Sequence, residues 1–336
     1  MKRLATLLVG VALLAAACGD DDAASSTTTA APTTTAAAAA TTVTTAGTDS
    51  SSTSSTEAPG TTSPPATAPP QDDLAPGTVT AGVLPFADGI RSYLVAVPPG
   101  YRDDTPAPVI LDLHGRGQTA VDHAINSGMT EFAWPHGYIV VHPQGIGEIP
   151  AWPTRAIDPG VAAEVAFFGL ILDTLAADLT IDPDRVFVSG FSLGGGMAGR
   201  LACALSDRIS GIAVVAASLQ GWGVCDPTGP VPVLALHGVD DQVAPFNGLA
   251  PDLPALPDWA AWWAGVNGCG RDPLPSQTVT GRIWHWPVCD DGATVTLMGL
   301  NDTGHGWPRV AQVAAVDGED VPLSSTEVIV DFFNGL

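Results

Sequence analysis

Along the last three quarters of the chain, short apolar runs alternate with longer stretches whose apolar positions recur every three to four residues. Residues 91–97 (RSYLVAV) alternate in strand fashion, and 109–113 (VILDL), 138–142 (YIVVH) and 185–189 (RVFVS) are short, nearly continuous apolar runs. Such runs predict strands, the continuous ones covered on both faces. Residues 161–178 (VAAEVAFFGLILDTLAAD) carry their apolar positions at helical spacing, and 197–205 and 257–266 are shorter helix candidates. The strand pattern returns at 212–216, 231–236 and 294–298. Strands that alternate with helices predict an α/β fold class, with a mostly parallel sheet and helices on both faces. The sequence shows no internal repeat.

The first quarter is different in kind. Lys2 and Arg3 precede an apolar run over 4–17, and Cys18 follows Ala15, Ala16 and Ala17. This is the pattern of an export signal. The run is shorter than the roughly 20 residues that span a bilayer. A cysteine directly after small residues resembles the lipobox of bacterial lipoproteins, although Ala15 stands where that box usually has Leu. The chain is therefore expected outside the cell, lipid-anchored through Cys18 or released. Residues 19–76 are almost entirely Thr, Ala, Ser and Pro, which cannot build a core. As a flexible tether they would span about 40 Å. The expected organisation is a signal over 1–18, a linker over 19–76 and one catalytic domain over 77–336.

Charge and cysteine usage narrow the partners. A formal net charge of −23 disfavours nucleic acid and anionic membrane surfaces, which would repel the chain. Besides Cys18 there are four cysteines, Cys203, Cys225, Cys269 and Cys289. In an exported chain an even number predicts two disulfides. No two of them have the short spacing of a zinc knuckle, so no metal is expected.

The chemistry begins at Gly190-Phe191-Ser192-Leu193-Gly194, a G-x-S-x-G pattern placed after a predicted strand and before a predicted helix. That context fits a sharp turn that lifts the serine hydroxyl above the sheet. A serine hydroxyl is a poor nucleophile until a base takes its proton, so a histidine oriented by a carboxylate should follow. Of seven histidines, only His285 and His305 lie beyond both Ser192 and the Asp240-Asp241 pair. His285 sits in the strand-like RIWHWPV, whereas His305 sits in the glycine-bracketed TGHGWP and is the expected base. Spacing does not choose between Asp240 and Asp241 as the acid. Two backbone donors are needed for the developing oxyanion. Leu193, after the serine, is one, and Arg116 in His114-Gly115-Arg116-Gly117 is the other. His114 itself is read as structural. No cofactor is required.

Together, LDLHGRGQTA, GFSLGGGMAGRLAC, HGVDDQVAPF and TGHGWP resemble the polyhydroxybutyrate depolymerase and feruloyl esterase family, the LpqC-like bacterial esterases of the α/β-hydrolase superfamily. The resemblance covers nearly all of the expected catalytic domain. It implies Asp241 rather than Asp240 as the triad acid, and the pairings Cys203 with Cys225 and Cys269 with Cys289. It implies an ester substrate, polysaccharide-linked or polyester, cleaved through Ser192, His305 and Asp241. Among the tryptophans, Trp152 and Trp307 are the expected cleft-lining residues. Three alternatives remain on the same shell: acetylxylan esterase-like activity, peptidase activity, and a non-catalytic polysaccharide-binding protein.

Overall fold

The structure, a computed structural model, describes residues 74–336 apart from 88, 156–157, 220–224, 250–252, 271, 279–280, 310 and 315–319, with 311–314 and 320–323 as backbone only. The expected signal, Cys18 and the linker up to residue 73 lie outside the described residues.

The chain enters through an antiparallel pair, β1 (Thr78–Phe86) and β2 (Gly89–Val97), followed by β3 (Ala107–Leu113). Helices α1 (Ala120–Ser127) and α2 (Met129–Ala133) lead to β4 (Ile139–Pro143). Then come α3 (Gly160–Asp178), β5 (Ile181–Phe191), α4 (Leu193–Ala204), β6 (Gly211–Val215) and β7 (Val233–Gly238). The rest is α5 (Leu256–Val266), β8 (Leu274–Thr278), β9 (Gly281–Trp286), β10 (Val295–Leu300), the small pair β11 (Ala311–Ala314) and β12 (Asp320–Leu323), and α6 (Ser325–Asn334).

Ten strands form one sheet in the order β1-β2-β4-β3-β5-β6-β7-β10-β9-β8. The run from β4 to β10 is parallel, and the antiparallel pairings are confined to its two flanks. Alternation along β3 shows how the sequence separates the faces. All seven residues are buried; Val109, Leu111 and Leu113 enter one core cluster and Ile110 the other. The first cluster takes Phe167 and Phe168 from α3, Met197 and Leu201 from α4, and Trp259 and Trp263 from α5. The second takes Met129 from α2 and Ile329 and Phe333 from α6, whose ring stacks on Phe187 of β5 at 4.6 Å.

Helix α3 is long and apolar enough to cross a membrane by composition, but its large apolar residues face the core. Glu164, the carboxylate on its buried side, is paired with Arg91 at 2.9 Å, and that guanidinium lies 3.9 Å from the Phe167 ring centre. The pair is buried and doubly hydrogen-bonded, the condition under which buried charge is tolerated.

The strand order reverses between β3, which is followed by β4 on one side, and β5, which is followed by β6 on the other. Loops leaving the carboxyl ends of parallel strands open a crevice at such a point. The segments that follow β3, β5, β7 and β10 all meet there.

Candidate active site

Ser192 is the single residue between β5 and α4, with φ +53° and ψ −117°. A non-glycine residue at positive φ is strained and has to be held by its surroundings. Its N–H donates to the Val215 carbonyl (3.0 Å), and its carbonyl accepts from Gly196 (3.1 Å) and Ser218 (3.0 Å). A Cβ at Gly190 would collide with the Gly194 backbone, and one at Gly194 with the carbonyls of Leu113 and His114. The glycines on either side are thus required because the turn folds back on itself and against the end of β3.

His305 approaches from the loop after β10. Its Nε2 lies 3.0 Å from Ser192 Oγ, and its Nδ1 lies 2.7 Å from Asp241 Oδ2 on the loop after β7. Phe191 lies beneath the imidazole at 5.1 Å between ring centres. Asp241 is 2 % exposed, and its second oxygen accepts the N–H groups of Val243 and Ala244, both at 2.8 Å. Burial pushes the carboxyl up. The His305 hydrogen bond and the two backbone donors outweigh it and hold the group below the usual carboxylate range. Asp240, by contrast, is exposed. Its backbone N–H donates to the Thr303 carbonyl (3.1 Å) and ties the two loops together.

His237 is a further member of this assembly that sequence reasoning did not assign. It is 1 % exposed; its Nε2 donates to the Ala244 carbonyl (2.7 Å) and lies 3.2 Å from Asp241 Oδ2. Burial pushes its pKa down. It therefore supplies a neutral N–H beside the carboxylate without competing with His305 for a proton.

Behind β3, His114 is fully buried. Its Nδ1 donates to the Gly115 carbonyl (2.7 Å) and its Nε2 accepts from Gly145 N–H (2.9 Å), in keeping with a structural role. Two donors of this turn are already used: Gly115 N–H on Gln118 Oε1 (3.0 Å) and Gly117 N–H on the Pro150 carbonyl (2.7 Å). The intervening Arg116 N–H makes no hydrogen bond among the described residues. Leu193, as the first residue of α4, has an N–H without an intrahelical acceptor.

The buried His114 has a consequence for acid stability. Burial lowers its pKa from 6.5 to about 4, against the opposing hydrogen bond to Gly115. Between those values the unfolded chain binds a proton that the folded chain refuses, so stability falls as pH drops from about 6.5 towards 4. The slope from this one group is at most about 1.4 kcal/mol per pH unit, and His237 acts with the same sign. Urea unfolding at pH 7, 6 and 5 measures it. His114→Gln should flatten the profile, and a parent whose midpoint does not move over this range would contradict the assignment.

A cavity of about 480 Å³ opens above Ser192, bordered by Arg116, Trp152, Arg155, Leu193 and Val243 among others. Trp152 thus reaches the cleft, although it is only 2 % exposed and its indole N–H is bound to the His114 carbonyl at 2.8 Å. Trp307 does not border this cavity, which corrects the expectation based on its nearness to His305. It is 7 % exposed and belongs to the second core cluster, because its side chain turns to the opposite face of the sheet from the cleft. Its Nε1 donates to Thr326 Oγ1 of α6 (2.9 Å), and that hydroxyl donates to the Ser127 carbonyl of α1 (2.5 Å).

Beneath Trp307 lies a buried cluster that sequence reasoning also missed. Asp112 is completely buried and accepts from Ser127 Oγ (2.7 Å), with His123 Nε2 at 3.2 Å and His142 Nδ1 at 3.4 Å. Burial opposes ionisation of Asp112, but the two imidazoles and their hydrogen bonds prevail and hold the carboxyl well below its ordinary range. The signal was an aspartate inside the otherwise apolar VILDL. Cys203 is bonded to Cys225 and Cys269 to Cys289, closing loops of 22 and 20 residues. Among the described residues no cluster of three or more His, Cys, Asp or Glu could hold a metal ion.

A largely parallel sheet with a serine on a strand-to-helix elbow at its switch point, met by a histidine and a carboxylate from later loops, defines an α/β-hydrolase. The chain is 31 % identical over 300 residues to "Putative esterase NocK" of Nocardia uniformis subsp. tsuyamanensis, a match spanning 78 % of this chain and 84 % of that protein. It belongs to the feruloyl esterase and polyhydroxybutyrate depolymerase family of α/β-hydrolases, and is a carboxylic ester hydrolase. It is also 28 % identical over 243 residues to feruloyl esterase B of Piromyces equi, of whose length the match spans 45 %. The acetyl xylan esterase of Aspergillus awamori shares the fold, with a TM-score of 0.57 at 13 % identity over 76 % of this chain and 100 % of that one. No family model matches the chain.

Proposed function

We propose that the chain is an exported serine esterase that cleaves acyl esters of plant-type polysaccharide or a related polyester through a covalent acyl-enzyme. Ser192 Oγ attacks the ester carbonyl while His305 Nε2 takes its proton. Collapse of the tetrahedral intermediate expels the alcohol, which receives that proton, and water then repeats the sequence to release the acid. Asp241 keeps the Nδ1 proton of His305 in place, and the N–H groups of Leu193 and Arg116 hold the oxyanion. The single observation that carries this reading is the unbroken chain from Ser192 Oγ through His305 to Asp241, at 3.0 and 2.7 Å, beneath the cleft. The names of the relatives, feruloyl esterase B and an acetyl xylan esterase, support the substrate range. Export rests on the signal-like N-terminus and is supported by the two disulfides. We further propose that the Thr/Ala/Ser/Pro-rich segment is a tether, fixed to the outer membrane face where Cys18 is lipidated.

The test is a panel of methyl ferulate, acetylated xylan oligomer, hydroxybutyrate oligomer and p-nitrophenyl acetate. Turnover of p-nitrophenyl acetate with a clear preference for one of the other three is expected. Failure to hydrolyse any of the four would count against the mechanism.

A further inference from the structure

Between residues 74 and 336 there are ten arginines and no lysine, in a chain of net charge −23. Nine of the ten are described, and nearly all are committed. Arg91, Arg102 and Arg208 are in ion pairs, Arg200 donates to the Thr154 carbonyl, and the others except Arg116 likewise have an interaction partner. Among the described residues, Arg116 is the one arginine whose guanidinium meets no acceptor, carboxylate or ring. It is exposed, and it borders the cavity that holds Ser192. Among the described residues, the other two charged side chains on this rim are of opposite sign. Arg155 and Asp158 are held together by a hydrogen bond from the Asp158 N–H to the Arg155 carbonyl (2.9 Å). Their charges largely cancel at a distance, which leaves Arg116 as the uncompensated charge among the described residues of the rim.

We propose that Arg116 makes this cleft selective for esters that carry a carboxylate, on the acyl chain or on the sugar to which the acyl group is attached. The inference rests on the serine-esterase reading and adds the chemical class of the substrate. A guanidinium presents a planar fork that matches a carboxylate with two parallel N–H···O bonds. In an anionic protein the background field repels such a substrate, so a neutral cleft would disfavour it. A preference for the anion therefore requires a local cation.

The experiment compares kcat/KM on the full chain for two matched pairs: methyl hydrogen adipate against methyl hexanoate, and acetylated glucuronic acid against acetylated glucose. In one pair the charged ester should exceed its neutral partner about tenfold or more, and which pair does so tells whether the carboxylate lies on the acid or the alcohol side. That ratio should shrink as salt rises from 20 to 500 mM, since the Debye length falls below about 10 Å above 0.1 M. Arg116→Gln keeps the backbone N–H and is read by the ratio alone, which should fall to one or below. Arg116→Lys should restore part of it. Neutral esters favoured in both pairs, or a ratio that survives Arg116→Gln, would overturn the inference and leave the esterase standing. No turnover of any ester, p-nitrophenyl acetate included, would remove the reading beneath it.

Discussion

Ser192→Ala is expected to lower kcat for p-nitrophenyl acetate by roughly 10⁴- to 10⁶-fold, with the fold unchanged. The substitution removes the only atom that His305 Nε2 can deprotonate at this position, while the backbone bonds to Val215, Gly196 and Ser218 that shape the elbow remain. Alanine tolerates the φ of +53° no worse than serine does. The Leu193 and Arg116 amides survive, so a residual rate above that of water is expected. Two readouts check the result: the initial burst of p-nitrophenol that reports acyl-enzyme accumulation, and labelling by a fluorophosphonate. Both should vanish. A variant that keeps turnover within tenfold of the parent, or still takes the label, would remove Ser192 from the chemistry.

Asp241→Asn should cost roughly 10⁴ in kcat at neutral pH, as loss of the correct imidazole tautomer does in a triad of this type. Here the direction in which the amide would lie is fixed by its neighbours. Oδ1 already accepts from Val243 and Ala244 N–H, both at 2.8 Å, so the amide oxygen must occupy that position. The NH₂ group is then turned towards His305 Nδ1 and also towards His237 Nε2, which already donates to Ala244. His305 would be driven to place its proton on Nε2, where it faces Ser192 and can accept nothing. Asn should therefore be no more active than Ala at this position, despite its closer shape. Kinetics of the two variants side by side decide the matter, and an Asn variant that is clearly the more active would contradict this geometry.

The parts of the molecule that sequence reading reached are those in which one local rule dominates. The parallel strands are continuous apolar runs because both faces are covered. The elbow is legible because close approach of β5, α4 and the end of β3 leaves room only for glycine at Gly190 and Gly194. Choosing between Asp240 and Asp241 was beyond spacing, because the choice depends on which residue the turn after β7 directs inward. The flanking strands β1 and β8 passed unnoticed because solvent covers much of them and their pattern is weak; β8 (LPSQT) has no buried residue. Trp307 was assigned to the wrong neighbourhood for a different reason. A single residue, Gly306, separates it from His305, but its side chain is claimed by α1 and α6, which sequence adjacency does not reveal.

That attachment divides the cleft into two walls of unequal provenance. The wall that carries the base is anchored by Trp307, through the Thr326 hydroxyl, to the first and last helices of the domain, so a change there is transmitted to the far side of the sheet. The opposite wall, to which Trp152, Thr154, Arg155, Val243, Ala244 and Leu253 contribute, is built from connecting segments. A lineage that acquires a new substrate is expected to rewrite the second wall and leave the first alone. Libraries designed to redirect this enzyme should concentrate their diversity in the same segments.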